Sequence, residues 1–171
     1  MSARISIRKQ LKQVQSLSMI NWIEVNNDSY SLLGALLEAE PLLDRESFFK
    51  ALGRFWCYCD NVSTYQNELT QLLTGASRNE LNLMMEPEEL SSLAKMPASI
   101  KIYCGCYEDN KNGLSWTTDK AVAESFPTLL RYQRPNEIPL LLEGSIDKQR
   151  AVLKLERDEW EIIKCWKMDT F

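Results

Sequence analysis

Apolar residues in the first 96 positions recur mostly every three or four residues, which is the spacing of amphipathic helices. A first stripe lies in a basic segment and predicts a helix that packs on the body of the protein: Ile7, Leu11, Val14, Leu17 and Ser18. Leucines between residues 32 and 37 predict a second helix, buried on one face and ended by Pro41. These two segments place helices at the start of the chain.

A third helix is predicted from a run of large apolar side chains. Asp44 is the expected N-cap of this helix, with Ser47 one turn in. The run repeats at helical spacing and is typical of a core rather than of a cofactor site: Phe48, Phe49, Leu52, Phe55, Trp56 and Cys59. Further helices are expected from Ser63 or Thr64 through Leu73, ended by Gly75, and over residues 86–95.

From Pro97 the pattern changes to that of strands. Ile100, Ile102 and Cys104 alternate with polar or aromatic residues, and residues 114–117 are short and β-prone. A helix over 120–126 is expected next, capped by Thr118 or Asp119 and ended by Pro127. Strands are then predicted over 140–146, where the leucine run indicates burial, over 151–155 and over 160–166. The prediction is an α+β protein with a helical N-terminal region, 1–98, layered on a sheet region, 99–171, together one compact domain.

Composition narrows the functions that this fold could perform. The formal charge is −4, with 20 basic and 24 acidic residues, which argues against broad coating of nucleic acid or of an anionic membrane but leaves nucleic acid open as a substrate. There is no histidine, so a Ser-His-Asp triad, a Cys-His pair and His-ligated metal sites are excluded. Catalysis would have to use carboxylates, tyrosine, lysine, cysteine, hydroxyls or a cofactor.

The cysteines and the hydropathy predict the compartment. An odd count of five, with no apolar signal-peptide core near the start, favours reduced thiols in the cytoplasm. Two Cys-x-Cys pairs are one residue shorter than the usual zinc-binding spacing, so we expect no metal and small buried thiols instead. No stretch approaches the length of a membrane span, so we expect no membrane partner.

Two groups of polar residues are candidates for chemistry. Glu159 and Glu161 would share one face of an extended segment, and Arg157 would lie on that face too. A run of charges of this kind is more often a solvated turn before a strand. Ser115 and Thr117 would likewise share a strand face, with Trp116 on the other, either as an ordinary strand with a core tryptophan or as hydroxyls that line a ligand cleft.

The order of four segments is more specific than any one of them. They are Ile102-Tyr103-Cys104-Gly105-Cys106, Gly113-Leu114-Ser115-Trp116-Thr117-Thr118-Asp119, Ala123-Glu124-Ser125-Phe126 and Arg157-Asp158-Glu159-Trp160-Glu161-Ile162-Ile163. This order resembles the ADP-ribosyltransferase-like fold of small phage-encoded and bacterial proteins and toxins. Their motifs are a Tyr-Arg-Gly strand, a Gly-Leu-Ser-Trp-Thr strand with an Ala-x-x-Phe helix, and a Glu-x-Glu turn. The resemblance covers about residues 99–166 and implies a split, mainly antiparallel sheet.

The resemblance also implies roles for individual residues. NAD would bind as a substrate, with Glu161 stabilising the oxocarbenium-like ribose and Glu159 orienting the acceptor. Ser115 and Thr117 would brace the cleft, and Tyr103, Trp116 or Tyr107 would stack on nicotinamide. Tyr103, Cys104 and Gly105 occupy the first-strand motif, in which the family has an arginine where this chain has Cys104.

A thiol cannot make the bidentate phosphate contact of an arginine. Three explanations are open for this departure from the family pattern. Another arginine, Arg131 or Arg134, would take the role; the domain would be non-catalytic; or Cys104 would be a changed residue that silences a toxic enzyme.

Two functions follow from these observations. The first is a mono-ADP-ribosyltransferase that moves ADP-ribose from NAD to a macromolecular acceptor, protein or nucleic acid, as a toxin, a phage-defence protein or a phage effector. The second is an inactive fold of the same type that serves as a binding module, toward an antitoxin or a phage protein.

Overall fold

The computed structural model describes residues 2–130, 132–156 and 160–165, with side chains from residue 7 onward. The chain is α+β, as the sequence predicts, and its described part contains seven α-helices and one antiparallel sheet of five strands. It divides into two compact units, Met1–Tyr65 and Gln66–Phe171.

The first unit is helical. It contains α1 (Ser2–Asn26), α2 (Leu32–Ala39) and α3 (Arg45–Phe55). The N-cap of α3 is as predicted, since the Asp44 carboxylate accepts a hydrogen bond of 2.9 Å from the Ser47 N–H. The aromatic run is buried from Phe48 through Trp56, while Cys59 is half-buried. The prediction that this run belongs to the core is therefore confirmed for all but its last residue.

The first apolar stripe of α1 does not pack as predicted. Ile7, Leu11, Val14 and Leu17 are each more than half exposed. The face of α1 that is buried instead carries Ser16, Ile20 and Ile23, and Ser16 Oγ accepts a hydrogen bond from the Asp44 N–H. Periodicity shows that a helix has an apolar stripe, but it does not show which of two faces the rest of the fold covers.

The second unit begins with three short helices. They are α4 (Gln66–Gly75), α5 (Arg78–Leu83) and α6 (Pro87–Lys95). Helix α5 was not predicted, although Ser77 and Glu80 form a capping box, which is a sequence pattern typical of a helix start. Arg150 joins the end of α4 to the sheet by donating to the carbonyls of Leu73 and Thr74 in the helix and of Ala76 just after it. Carbonyls at a helix end lack intrahelical partners, so these bonds satisfy them.

The five strands lie in the order β3-β1-β2-β5-β4, and all neighbouring pairs are antiparallel. Their bounds are β1 Ser99–Cys106, β2 Ser115–Thr117, β3 Leu140–Asp147, β4 Ala151–Lys154 and β5 Glu161–Lys164. One further helix, α7 (Lys120–Ser125), follows β2 and has Asp119 as its N-cap, with the carboxylate accepting from the Ala121 N–H at 2.8 Å. The central strands β2 and β5 come from segments that the resemblance singled out.

The leucine run at 140–146 forms an edge strand rather than a buried one. Residues 141, 143, 145 and 147 of β3 have exposed side chains, while those of the alternate positions are half-buried or buried. The prediction of a buried strand was wrong. A strand with one buried face normally alternates apolar and polar residues, and three consecutive leucines hide that alternation here.

Candidate active site

A row of residues crosses the whole sheet on one face. Direct cross-strand pairing links Glu143 of β3 to Tyr103 of β1, Tyr103 to Thr117 of β2, Thr117 to Glu161 of β5, and Glu161 to Lys154 of β4. Residues that pair directly project to the same face of a sheet. These five residues, called the polar row below, place a phenol, a hydroxyl and a carboxylate side by side on the three central strands.

Ser115 completes the centre of the polar row. It lies two residues before Thr117 and so shares its face, and its hydroxyl donates a hydrogen bond of 2.5 Å to Glu161 Oε1. Glu161 is half-buried at the start of β5, and Trp160 before it has a left-handed backbone with a φ of 46°. The serine fixes the direction of the carboxylate, and a short hydrogen bond to an ionised oxygen is among the stronger kinds.

Helix α7 lies beside the polar row on the same face. The Thr117 hydroxyl oxygen accepts a hydrogen bond of 3.0 Å from the Asp119 N–H, which joins β2 to the start of the helix. Gly105 of β1 allows the helix to approach, because a Cβ at this position would overlap the Ala123 carbonyl oxygen. Gly105 therefore has a packing role that requires no ligand.

The structure places Cys104 and Trp116 on the opposite face of the sheet. Each is adjacent in sequence to a residue of the polar row, and side chains alternate along a strand. The Trp116 ring is 3% exposed, its Nε1–H donates to the Gly113 carbonyl at 2.9 Å, and the Lys164 Nζ lies 5.1 Å from its centroid. The residues that the sequence suggested for one cleft thus divide into two groups.

A positive charge near Cys104 comes from Lys164, which was not among the residues predicted from the sequence. Lys164 is only 4% exposed, and burial lowers its pKa. Burial together with the neighbouring Cys106 raises the pKa of the Cys104 thiol to about 12, which the Lys164 charge offsets only in part. Cys104 is therefore a neutral thiol, and the cation on its face of the sheet is a lysine on β5.

The remaining sequence candidates have other surroundings. Tyr107 is buried, its hydroxyl donates to the Pro127 carbonyl at 3.1 Å, and the Arg134 guanidinium lies 4.8 Å from its ring centre. Arg134 itself forms ion pairs with Asp109 and Glu137 at 2.8 and 3.2 Å. Tyr107 and Arg134 are thus engaged in local structure. Glu159, Arg157 and Arg131 lie outside the described residues.

A buried ion pair supports β4 next to Glu161. Lys154 Nζ lies 2.9 Å from Glu89 Oε2 of α6, and Glu89 Oε1 accepts a hydrogen bond of 3.0 Å from the Leu155 N–H. Neither residue was predicted from the sequence. A glutamate within a helical pattern is usually an exposed charge, and no local pattern relates Glu89 to a lysine 65 positions away. The Glu89 carboxylate therefore neutralises the ammonium charge of Lys154, which is the neighbour of Glu161 in the polar row.

The chain matches no protein-family model, no curated protein and no solved structure. Within the described ranges, no three or more acidic or cysteine side chains group as metal ligands do. In that same part of the chain, no helix combines the length and the apolar character needed to cross a bilayer.

Proposed function

We propose that the chain is a mono-ADP-ribosyltransferase that transfers ADP-ribose from NAD to a macromolecular acceptor. The observation that carries the proposal is the Glu161 carboxylate, held at 2.5 Å by the Ser115 hydroxyl at the centre of the sheet. Cleavage of the nicotinamide–ribose bond develops positive charge on the ribose, and a fixed carboxylate stabilises that charge. The motif order of the sequence supports the same assignment.

Two other residues of the polar row have roles in this proposal. Tyr103 lies one strand from Thr117 and offers an aromatic face for nicotinamide, and Thr117 fixes the backbone where β2 meets α7. Glu159 would orient the acceptor, as the resemblance implies. We propose that the protein acts in the cytoplasm as a toxin, a phage-defence protein or a phage effector, on protein or nucleic acid.

The test is a comparison of matched carboxylate variants. Glu161→Gln keeps the size of the side chain and its bond from Ser115 but removes the charge, so release of nicotinamide from NAD should fall by about 100-fold or more. Ser115→Ala should lower it by about tenfold or more, since a hydrogen bond to a charged group contributes about 1.5–3 kcal/mol. Glu143→Gln is the control, because it lies in the same row three strands from Glu161 and pairs with Lys101.

The acceptor is identified in the same series. Wild type and the Glu161→Gln variant are incubated with NAD labelled in the adenylate and with cell lysate, followed by protease or nuclease. Label lost with nuclease indicates a nucleic-acid acceptor, and label lost with protease indicates a protein. Equal nicotinamide release by wild type and Glu161→Gln, both folded by circular dichroism, would contradict the proposal.

A second function is favoured by Cys104. Its neutral thiol stands where the family has an arginine, and it lies across the sheet from Glu161. We propose as the alternative an inactive fold that binds a partner such as an antitoxin or a phage protein. Under this alternative, calorimetry shows no heat with NAD for either wild type or Cys104→Arg, and no variant releases nicotinamide.

A further inference from the structure

The outer edge of β3 presents backbone groups that pair with no other strand of the described ranges. The Lys148 N–H donates to the Ala98 carbonyl at 2.8 Å, so this pair begins the hydrogen-bonded pairs of the β1–β3 ladder. Hydrogen-bonded and non-hydrogen-bonded pairs alternate along an antiparallel ladder. The N–H and C=O groups of Leu141, Glu143, Ser145 and Asp147 therefore point away from β1, toward the outside of the sheet.

The opposite edge of the sheet is closed. The Cys165 N–H donates to the Arg150 carbonyl, so the same alternation turns residues 151, 153 and 155 outward from β4. Side chains of the preceding helices meet these groups: Arg78 donates to the Ala151 carbonyl at 2.8 Å, Met85 Sδ accepts from the Leu153 N–H at 3.3 Å, and Glu89 accepts from the Leu155 N–H at 3.0 Å.

In the part of the chain that the structure describes, no side chain meets the β3 edge in this way. Within the described residues, the outward N–H and C=O groups of Leu141, Glu143 and Ser145 form no hydrogen bond with backbone or side chain, whereas Asp147 is the N-cap of a 3-10 helix over Lys148–Arg150. The strand has eight residues, about 27 Å at the rise of an antiparallel strand, and contains no proline. Long unprotected edges are templates for another strand, and proteins normally protect them.

The side chains along this edge define the chemistry of a strand that would fit it. On one face the exposed positions include two carboxylates, Glu143 and Asp147, four residues apart. The other face is apolar, with Leu140, Leu142 and Ile146. Just before the strand Ile138 is 83% exposed, and Leu141, which shares the face of the two carboxylates, is 40% exposed.

The acidic face disfavours a second copy of the chain as the occupant. Two β3 strands related by a twofold axis would pair antiparallel and keep their faces, so Glu143 and Asp147 of both copies would line one side of the junction. Lys101 lies 2.6 Å from Glu143 and neutralises only that carboxylate in each copy. Like charges across a strand pair are destabilising, whereas a basic partner strand would be attracted.

We propose that the outer edge of β3 binds an extended segment of a partner protein by strand addition, and that this segment alternates basic with apolar residues. Its backbone pairs with the outward groups of β3, its basic side chains face Glu143 and Asp147, and its apolar side chains continue the face of Leu140, Leu142 and Ile146. Backbone bonds of this kind supply affinity, and alternate side chains supply specificity.

The test uses a fluorescein-labelled octapeptide in which lysine alternates with valine, and the same peptide with glutamate in place of lysine. Binding to the full chain is measured by fluorescence anisotropy. Ser145→Pro removes an outward N–H that the β1 ladder does not use, and it leaves every charge of the edge in place. Ser145→Thr is the matched control, since it keeps the N–H. If Ser145→Pro does not fold by circular dichroism, Leu141→Pro, with the same outward N–H, replaces it.

We expect the lysine peptide to bind wild type and Ser145→Thr equally, and at least fivefold more weakly to Ser145→Pro. The glutamate peptide should bind wild type at least fivefold more weakly than the lysine peptide, and a Glu143→Gln/Asp147→Asn variant should lose most of that preference. Equal binding of the lysine peptide to wild type and Ser145→Pro would show charge attraction alone and would overturn the proposal, as would absence of binding. A wild-type dimer in light scattering that Ser145→Pro makes monomeric would assign the edge to a second copy and overturn the proposed occupant.

Discussion

Removal of one charge from the ion pair between Glu89 and Lys154 should lower the free energy of unfolding more than any surface substitution in the second unit, Gln66–Phe171, called the sheet unit below. The two side chains are 6% and 4% exposed, and Lys154 Nζ lies 2.9 Å from Glu89 Oε2. Glu89 also accepts hydrogen bonds from the backbone N–H groups of Glu86 at 2.8 Å and Leu155 at 3.0 Å. The carboxylate therefore joins the start of α6, the end of β4 and the lysine.

The two single substitutions leave different charges behind. Glu89→Gln leaves a buried ammonium whose other acceptor is the Met84 carbonyl, 3.3 Å away, so we expect a loss of about 3–5 kcal/mol in the free energy of unfolding. Lys154→Met leaves a carboxylate that keeps two backbone donors, and we expect a smaller loss of about 2–3 kcal/mol. The double variant buries no charge in this place and should lose less than Glu89→Gln alone.

The assay is a urea titration of the four proteins, combined with hydrogen exchange of the β5 amides so that the sheet unit is observed by itself. Glu143→Gln is the surface control. Its ion pair with Lys101, at 2.6 Å, is shorter than the 2.9 Å pair of Glu89 and Lys154. Both of its side chains are at least half exposed, however, so the change should cost at most about 1 kcal/mol. Additive losses in the double variant, or a loss below about 1 kcal/mol for Glu89→Gln, would refute the account of a desolvated pair.

Three further predictions concern the same unit. Gly105→Ala should lower the midpoint of urea unfolding, because the new Cβ overlaps the Ala123 carbonyl oxygen, whereas Gly75→Ala, with open space around it, should not lower it through a clash. Arg150→Met should cost about 3 kcal/mol in the same titration and speed hydrogen exchange in α4, since it removes a charged donor from two carbonyls in the last turn of α4 and from that of Ala76. Burial raises the pKa of Cys104 to about 12, so the folded state keeps a proton that the unfolded state releases near pH 9. The free energy of unfolding should therefore fall as the pH rises from 9 toward 12. Cys104→Ala should reduce that fall, measured by urea titrations at pH 8 and 10.

Local signals predicted most of the elements. Asp44 was predicted as an N-cap, and Asp119 was one of two candidates with Thr118, because an acidic side chain before a helical pattern satisfies free N–H groups. The alternation of Ser115, Trp116 and Thr117 predicted two hydroxyls on one face and an aromatic ring on the other, and the structure has both. These features depend on residues a few positions apart, which a sequence displays directly.

What the sequence could not predict depends on the order of strands and on the faces that are covered. The stripe from Ile7 to Leu17 and the leucines of β3 have patterns of buried segments, yet the fold leaves that stripe more than half exposed and buries no leucine of β3 fully. The pairing of Glu89 with Lys154 joins positions 65 residues apart. No local periodicity encodes such contacts, because they follow from tertiary packing.

The position of Cys104 bears on the proposed function, because the resemblance implies an arginine where this chain has Cys104. Because the position lies on the face opposite Glu161, an arginine there would extend toward Trp116 and the buried ammonium of Lys164 rather than toward the carboxylate. Two like charges in a poorly solvated place repel each other. Under the proposed function, an arginine at position 104 would therefore add a second positive charge near Lys164 and would not by itself place a cation next to Glu161. The pairing of Glu161 with Ser115 does not depend on residue 104, so the activity of that pair is the property that separates the two proposed functions.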